Sequence, residues 1–259
     1  MVDQLPNLGR EAEMLAAMGM TSIEELFADI PSEVRMKDDL PLPPPQSEEE
    51  ILSDARRLLG SNVALGERVS FLGAGLYRNY VPASVFQLVT RGEFLTAYTP
   101  YQPEVSQGML QAMWEFQTLI SELVGLPIAN LSLYDGSTAA AEALTCSVRV
   151  HTRKATQKDT VYVSELTPPD RLSVMQNYCQ GAEIKIKFLR HNDDGTLDMD
   201  SVSDAVGSCG VYVEQPNPLG LLDGGVTQLK EILGEHTALI VAVQPVSLGL
   251  VEAPGHYGA

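Results

Sequence analysis

From residue 131 to residue 243 short apolar runs alternate with stretches of helical character, and no other feature of this sequence restricts its fold so tightly. The runs lie at 131–133, 161–163, 184–188, 211–213 and 239–243, and the helical stretches open at Ser137, after Pro169, at Asp200 and after Gly225. Short continuous apolar runs fit strands covered on both faces, and strands joined through helices cross over, which makes neighbouring strands parallel. The spacing predicts an α/β fold with a mostly parallel sheet and helices on both faces. Residues 105–124 add a long helix with Met109, Ala112, Met113, Phe116, Leu119, Ile120 and Leu123 on one face, which reads as core, and Gly125 ends it. The sequence closes on HYGA just after a strand, where such a sheet would ordinarily continue, so the sheet is expected to be incomplete.

The preceding part reads differently. Residues 1–60 form a helical N-terminal extension, and 61–259 the sheet-bearing domain. Apolar residues recur at helical spacing over 8–18, and Gly19 follows where a left-handed cap sits. Thr21, Ser22 and Glu25 predict a capped short helix through Phe27, stopped by Pro31. Residues 40–45, LPLPPP, are extended and stiff, suited to a rigid connector or to a proline-reading module. Ser47 and Glu50 form a second capping box, opening a helix that runs to Gly60. Over 61–104 regular periodicity lapses, and glycines, prolines and tyrosines gather in what reads as a long working loop.

Charge narrows the partners. Lys and Arg total 17 against 34 Asp and Glu, a net charge of −17, so the surface repels nucleic acid and anionic lipid headgroups. Adaptation to high salt produces the same excess. No apolar run approaches the roughly 20 residues that cross a bilayer, and the start MVDQLPNLGR lacks the layout of a secretory signal, so no membrane role and a cytoplasmic location are expected. Cys146, Cys179 and Cys209 are widely spaced and read as buried free thiols rather than disulfides or zinc ligands. His151, His191, His236 and His256 show no metal-ligand spacing, and no metal is expected. No Walker A, no G-x-G-x-x-G after a strand and no G-x-S-x-G occurs.

Two stretches could carry chemistry. In 131–143, LSLYDGSTAAAEA, a tight turn at Asp135 and Gly136 leads into a helix opened by Ser137 and Thr138. Unpaired N–H groups and the positive dipole end at Gly136, Ser137 and Thr138 can hold a phosphate. The same residues also read as a helix that Ser137 caps, with alanines allowing close packing. In 98–108, YTPYQPEVSQG, prolines stiffen a path that carries two phenols, an amide and a carboxylate. It reads either as a recognition surface or as a loop packed by its tyrosines. Glu104 alone reads as a helix N-terminal charge.

The blocks EMLAAMG, ELFADIPSEVRM, FLGAGLYRNYVP, EFLTAYTPYQPEVSQGMLQAMWEFQTLISELVG, ANLSLYDGSTAAAEA and QPVSLGLVEAPGHYGA closely resemble subunit 1 of the glycine decarboxylase P-protein family of the glycine cleavage system. The resemblance implies the aspartate-aminotransferase-like large domain (fold type I) of pyridoxal-phosphate-dependent transferases. It also implies a heteromeric enzyme, such as a heterotetramer, whose homologous subunit 2 carries the Schiff-base lysine. In the family reaction glycine condenses with pyridoxal 5'-phosphate, its carboxyl leaves as CO2 while the ring takes up the electrons, and the aminomethyl group passes to the lipoyl arm of H-protein. By the same resemblance, Tyr98, Tyr101, Gln102 and Glu104 are candidates for an interface pocket, and Gly136, Ser137 and Thr138 for a relict phosphate cradle.

The lysines Lys37, Lys154, Lys158, Lys185, Lys187 and Lys230 all precede the last strand, so none stands where the family anchors its cofactor covalently. Where the family fold presents an aspartate to the pyridine nitrogen, the sequence has Gln244, and where related subunits carry a histidine it has Asn79. A neutral amide cannot stabilise a pyridinium as a carboxylate does, so this site is expected to be catalytically idle. The resemblance stops inside the large domain, with the C-terminal small domain absent, as in a truncated gene, a split subunit or a partial record. Two readings follow: a subunit that completes its partner's active site and is inactive alone, and a non-catalytic remnant or assembly module.

Overall fold

The computed structural model describes residues 7–38, 40–73, 75, 77–153 and 159–259, with the backbone alone for 151–153. Lys154, Lys158 and the side chain of His151 therefore lie outside the described residues. The chain divides into two compact units, Met1–Val63 and Ala64–Ala259.

In the first unit α1 spans Glu11–Ala17, a 3-10 turn spans Ile23–Phe27 and α2 spans Glu48–Leu59. The capping boxes form as the sequence predicts. Ser22 N–H donates to Glu25 Oε1 at 3.1 Å; Ser47 N–H donates to Glu50 Oε2 at 2.8 Å and Glu50 N–H returns to Ser47 Oγ at 3.3 Å. Residues 40–45 hold neither helix nor strand. Among the described residues of this unit Leu15 is the buried apolar side chain, whereas Ile51, Leu52, Leu58 and Leu59 share one face of α2 and are exposed.

The second unit runs α3 (Ala83–Val89), α4 (Gly92–Leu95), α5 (Pro103–Val124), α6 (Gly136–Arg153), β1 (Thr160–Ser164), α7 (Pro169–Gly181), β2 (Lys185–Leu189), α8 (Met199–Ser203), β3 (Gly210–Gln215), α9 (Leu229–Leu233) and β4 (Ala238–Val243). The sheet has the order β2-β1-β3-β4, with every pair parallel. Alternation along the strands divides the core. Val161, Val163 and Tyr212 pack with Leu144 of α6 and Met175 of α7, while Tyr162, Val211, Val213 and Leu239 pack with Val202 of α8 and Leu229 and Leu233 of α9. Gly210 opens β3 where α6 crosses it; a Cβ there would stand 2.6 Å from Ser147 Oγ, so only glycine admits the helix this close.

Five expectations need correction. Residues 131–133 are not a strand: no neighbour pairs with them, and an apolar run without hydrogen-bond partners cannot form one. The loop predicted over 61–104 contains α3 and α4, which are too short to produce a readable period. The long helix starts at Pro103 and breaks at Ser106, whose non-helical backbone (φ −139°, ψ 32°) is accompanied by a side-chain bond from Ser106 Oγ to Thr99 O. Its apolar face is not fully core either: Phe116, Leu119 and Leu123 are exposed, and Met109, Ala112, Met113 and Ile120 are half-buried. The sheet is covered by α6 to α9, and α5 packs instead against the 3-10 turn Pro245–Gly249. Cys179 and Cys209 are buried as predicted, but Cys146 is exposed.

At the end of α5 Gly125 adopts a left-handed φ of 69°. A Cβ on Gly255, in the terminal 3-10 turn Pro254–Tyr257, would overlap the Gly125 carbonyl oxygen, so two backbones meet there without side chains between them.

Leu144 is fully buried between α6 and the sheet, so Leu144→Ala lowers the unfolding free energy by about 2–5 kcal/mol in urea titration, whereas Leu119→Ala on the exposed face of α5 changes it by less than about 0.5 kcal/mol.

Candidate functional site at the carboxyl ends of the strands

In an open parallel sheet ligands gather beyond the carboxyl ends of the strands, because helix N-termini converge there. At this edge β3 delivers Glu214, and a charge at the end of a strand covered on both faces needs a partner. Arg171, in the first turn of α7, supplies it: Nη1 lies 2.6 Å from Glu214 Oε1. The Tyr212 hydroxyl donates to the same carboxylate oxygen at 3.1 Å and accepts from Arg171 Nη1 at 3.3 Å. Burial first, and then the charge of Glu214, push the Tyr212 hydroxyl well above its ordinary pKa, which keeps it a donor. Arg171 Nε is buried without a hydrogen-bond partner. This trio was missed in the sequence; its signal was a lone glutamate inside the otherwise uncharged strand GVYVEQ.

Arg171 also faces the start of α6, where a Cβ on Gly136 would come within 3.6 Å of Nη2. The proposed phosphate cradle begins here. Its Thr138 N–H donates at 2.8 Å to Asp135 Oδ1, and Thr138 Oγ1 donates to the Asp135 carbonyl at 3.0 Å. The cap is thus Asp135 rather than Ser137. The backbone bond from Thr138, helped by Ser137 and by Arg171, holds the Asp135 carboxyl below its usual range. An internal carboxylate therefore occupies the helix end that a phosphate would use. Beside it a cavity of about 770 Å³ is lined by Asp135, Gly136, Glu142, Cys146, Phe116 and Ile120, while Ser137 and Thr138 are not among its lining residues.

At β4 the predicted Gln244 caps the 3-10 turn Pro245–Gly249. Its Oε1 accepts from Val246 N–H at 2.6 Å and from Ser247 N–H at 3.2 Å, and its Nε2 donates to Asn79 Oδ1 at 3.1 Å. The two positions singled out in the sequence, Gln244 and Asn79, thus touch. At β1 and β2, Ser164 Oγ lies 3.4 Å from His191 Nε2, and burial lowers the His191 pKa against the opposing pull of Glu165 and Asp223.

The second candidate group is dispersed. Tyr98 is 94% exposed and lines a cavity of about 560 Å³ with Arg91, Phe94, Thr99, Ser106 and Met109. Tyr101, Gln102 and Glu104 are exposed and do not line it. Gln102 turns back instead, its Oε1 accepting from Thr99 Oγ1 at 3.2 Å.

Among the described residues no lysine stands at a strand's carboxyl end. Lys185 opens β2 and pairs with Asp159 at 2.7 Å, Lys187 lies over the Tyr162 ring, and Lys230 donates to Thr237 O. With Gln244 engaged and Asp135 in the helix mouth, the described residues do not fit covalent anchoring of a pyridoxal phosphate. Among the described residues no His, Cys, Asp and Glu cluster of metal-binding kind occurs, and no helix is long and apolar enough to cross a membrane.

Residues 6–259 match the family described as Glycine cleavage system P-protein. The probable glycine dehydrogenase (decarboxylating) subunit 1 of Pyrococcus abyssi is 47% identical over 98% of this chain and 56% of its own length, and that of Thermococcus onnurineus is 46% identical with the same coverage. The counterpart from Oceanobacillus iheyensis is 43% identical over 95% of this chain and 54% of its own. A crystal structure of glycine decarboxylase (P-protein) of the glycine cleavage system, in inhibitor-bound form, is 39% identical and superposes with a TM-score of 0.80, covering 100% of this chain and 57% of that one. The fold-type-I architecture is therefore shared with a solved glycine decarboxylase. The chain spans little more than half the length of the relatives it matches.

Glu214→Gln strands the Arg171 guanidinium at a partly buried position and costs about 1–2 kcal/mol in chemical denaturation, and pairing it with Arg171→Met recovers most of that loss.

Proposed function

Because the chain belongs to the glycine cleavage system P-protein family, we propose that it acts as a non-anchoring subunit of glycine decarboxylase. In this reading pyridoxal 5'-phosphate is held by a lysine of the homologous second subunit, glycine is the substrate, and the aminomethyl group is received by the lipoyl arm of H-protein. The cofactor, when bound there, supplies the electron sink that lets glycine lose CO2. The complex is cytoplasmic, and this chain alone is inactive. Its helical extension, 1–60, and partial large domain, 61–259, serve assembly rather than covalent chemistry.

The observation that carries the reading is the state of the strand ends. Gln244 has both functions of its amide engaged, Asp135 fills the mouth of α6, and no described lysine reaches that edge. A chain of this family with such an edge contributes shape. Tyr98, Tyr101 and Gln102 on a stiffened loop and Glu104 in the first turn of α5 offer exposed aromatic faces and polar atoms, which suits a pocket completed by another polypeptide. Gly136, Ser137 and Thr138 keep the helix start of a phosphate cradle with an internal carboxylate in the anion's place.

Reconstitution with the lysine-bearing subunit tests this. Exchange of label between bicarbonate and the glycine carboxyl, measured with H-protein present, rises at least about tenfold when the chain is added, equivalent to roughly 1.4 kcal/mol of barrier. Equal exchange with and without the chain excludes the reading.

A further inference from the structure

β1 and β2 end side by side, and the segments that leave them are joined through His191. Its backbone N–H donates to Glu165 Oε1 at 2.6 Å, and the Glu165 N–H donates to the Leu189 carbonyl at 3.0 Å. The side chain of His191 is 8% exposed, with Nε2 3.4 Å from Ser164 Oγ and Nδ1 3.7 Å from Glu165 Oε1. Nδ1 is buried without a hydrogen-bond partner. Ser164 Oγ accepts from Leu166 N–H at 3.2 Å, so its own proton goes to Nε2. That leaves the proton of the neutral ring on Nδ1, facing the Glu165 carboxylate. No step of the function proposed above uses this ring.

We propose that His191 is a pH-sensitive clasp: while its ring is neutral it holds residues 164–168 against the end of β2, and as the ring takes a proton from solvent that loop loosens. A proton added at Nε2 meets the Ser164 hydroxyl, whose own proton then loses its acceptor in a buried place. The new charge also sits at a largely buried site. Glu165 after β1 and Asp223 before α9 face the ring from the neighbouring segments and favour the cation, while Arg190 beside it is paired with Asp198 at 3.1 Å. Burial outweighs both carboxylates, and the pKa of the ring lies below its ordinary value. The folded chain thus binds this proton less readily than the unfolded chain does. Its stability is undiminished above about pH 6.5 and falls as the pH drops below that. The loosened loop leads directly into α7, so the effect reaches Arg171 in the first turn of that helix.

Amide hydrogen exchange at Leu166, Thr167 and His191, corrected for the intrinsic effect of pH on exchange, reads the clasp through the bonds it holds. In the unaltered chain protection at these amides falls at least about threefold between about pH 7.5 and about pH 5.5, while amides inside β3 keep theirs. A glutamine accepts from Ser164 and donates towards Glu165 without titrating, so in His191→Gln protection stays within about 1.5-fold over the same range. Glu165→Gln gives a second reading with the ring in place. Loss of a carboxylate that favours the cation moves the transition to lower pH, and the ring signals of His191, followed by NMR, move with it. Constant protection in the unaltered chain, an equal fall in His191→Gln, a transition unmoved in Glu165→Gln, or a ring that titrates at or above its ordinary pKa overturns the clasp.

Discussion

The two central strands, β1 and β3, are covered on both faces, and the rest of the second unit follows from that constraint. Val161 and Val163 face α6 and α7 while Tyr162 between them faces the opposite layer; in β3 Tyr212 and its neighbours Val211 and Val213 reverse this arrangement. A strand so enclosed can neither pair antiparallel through a tight turn nor leave a face in water, so each crossover must carry a helix. Every strand then points the same way, and its polar ending emerges at the same edge. Chemistry in this unit is confined to that edge by the packing beneath it.

At the edge the polar groups answer one another. Arg171 is met by Glu214 and Tyr212, the start of α6 by Asp135, and the turn after β4 by Gln244. The electrostatics are therefore closed internally, with charges that would otherwise attract a ligand already compensated. The uncovered material is apolar and lies elsewhere, on α5, on α2 and along 64–82. Apolar exposure on that scale is uncommon on a free surface.

Much of this was legible in the residues because the deciding interactions are local. Ser47 and Glu50, or Ser22 and Glu25, meet within one turn, and the strands of 161–163, 184–188, 211–213 and 239–243 announce themselves by unbroken apolar runs. The errors arose where a distant neighbour decides. Residues 131–133 have strand composition but no strand beside them among the described residues, and the core-like face of α5 is only half-covered. Asp135 displaced Ser137 as the cap because its carboxylate reaches the Thr138 N–H from one residue before the helix. Arg171, Tyr212 and Glu214 come together only once α7 and β3 are packed, and no spacing rule links them.

The bare contact between Gly125 and Gly255 bears on how the chain is made. The end of α5 leaves the ribosome roughly half a chain length before the turn on which it rests, so during synthesis that helix terminus has no seat. Until translation has delivered that turn, α5 can hold its shape only by its own hydrogen bonds or with a chaperone's help. Completion of this corner thus awaits residues made some 130 positions later, separate in time from the birth of the helix it anchors.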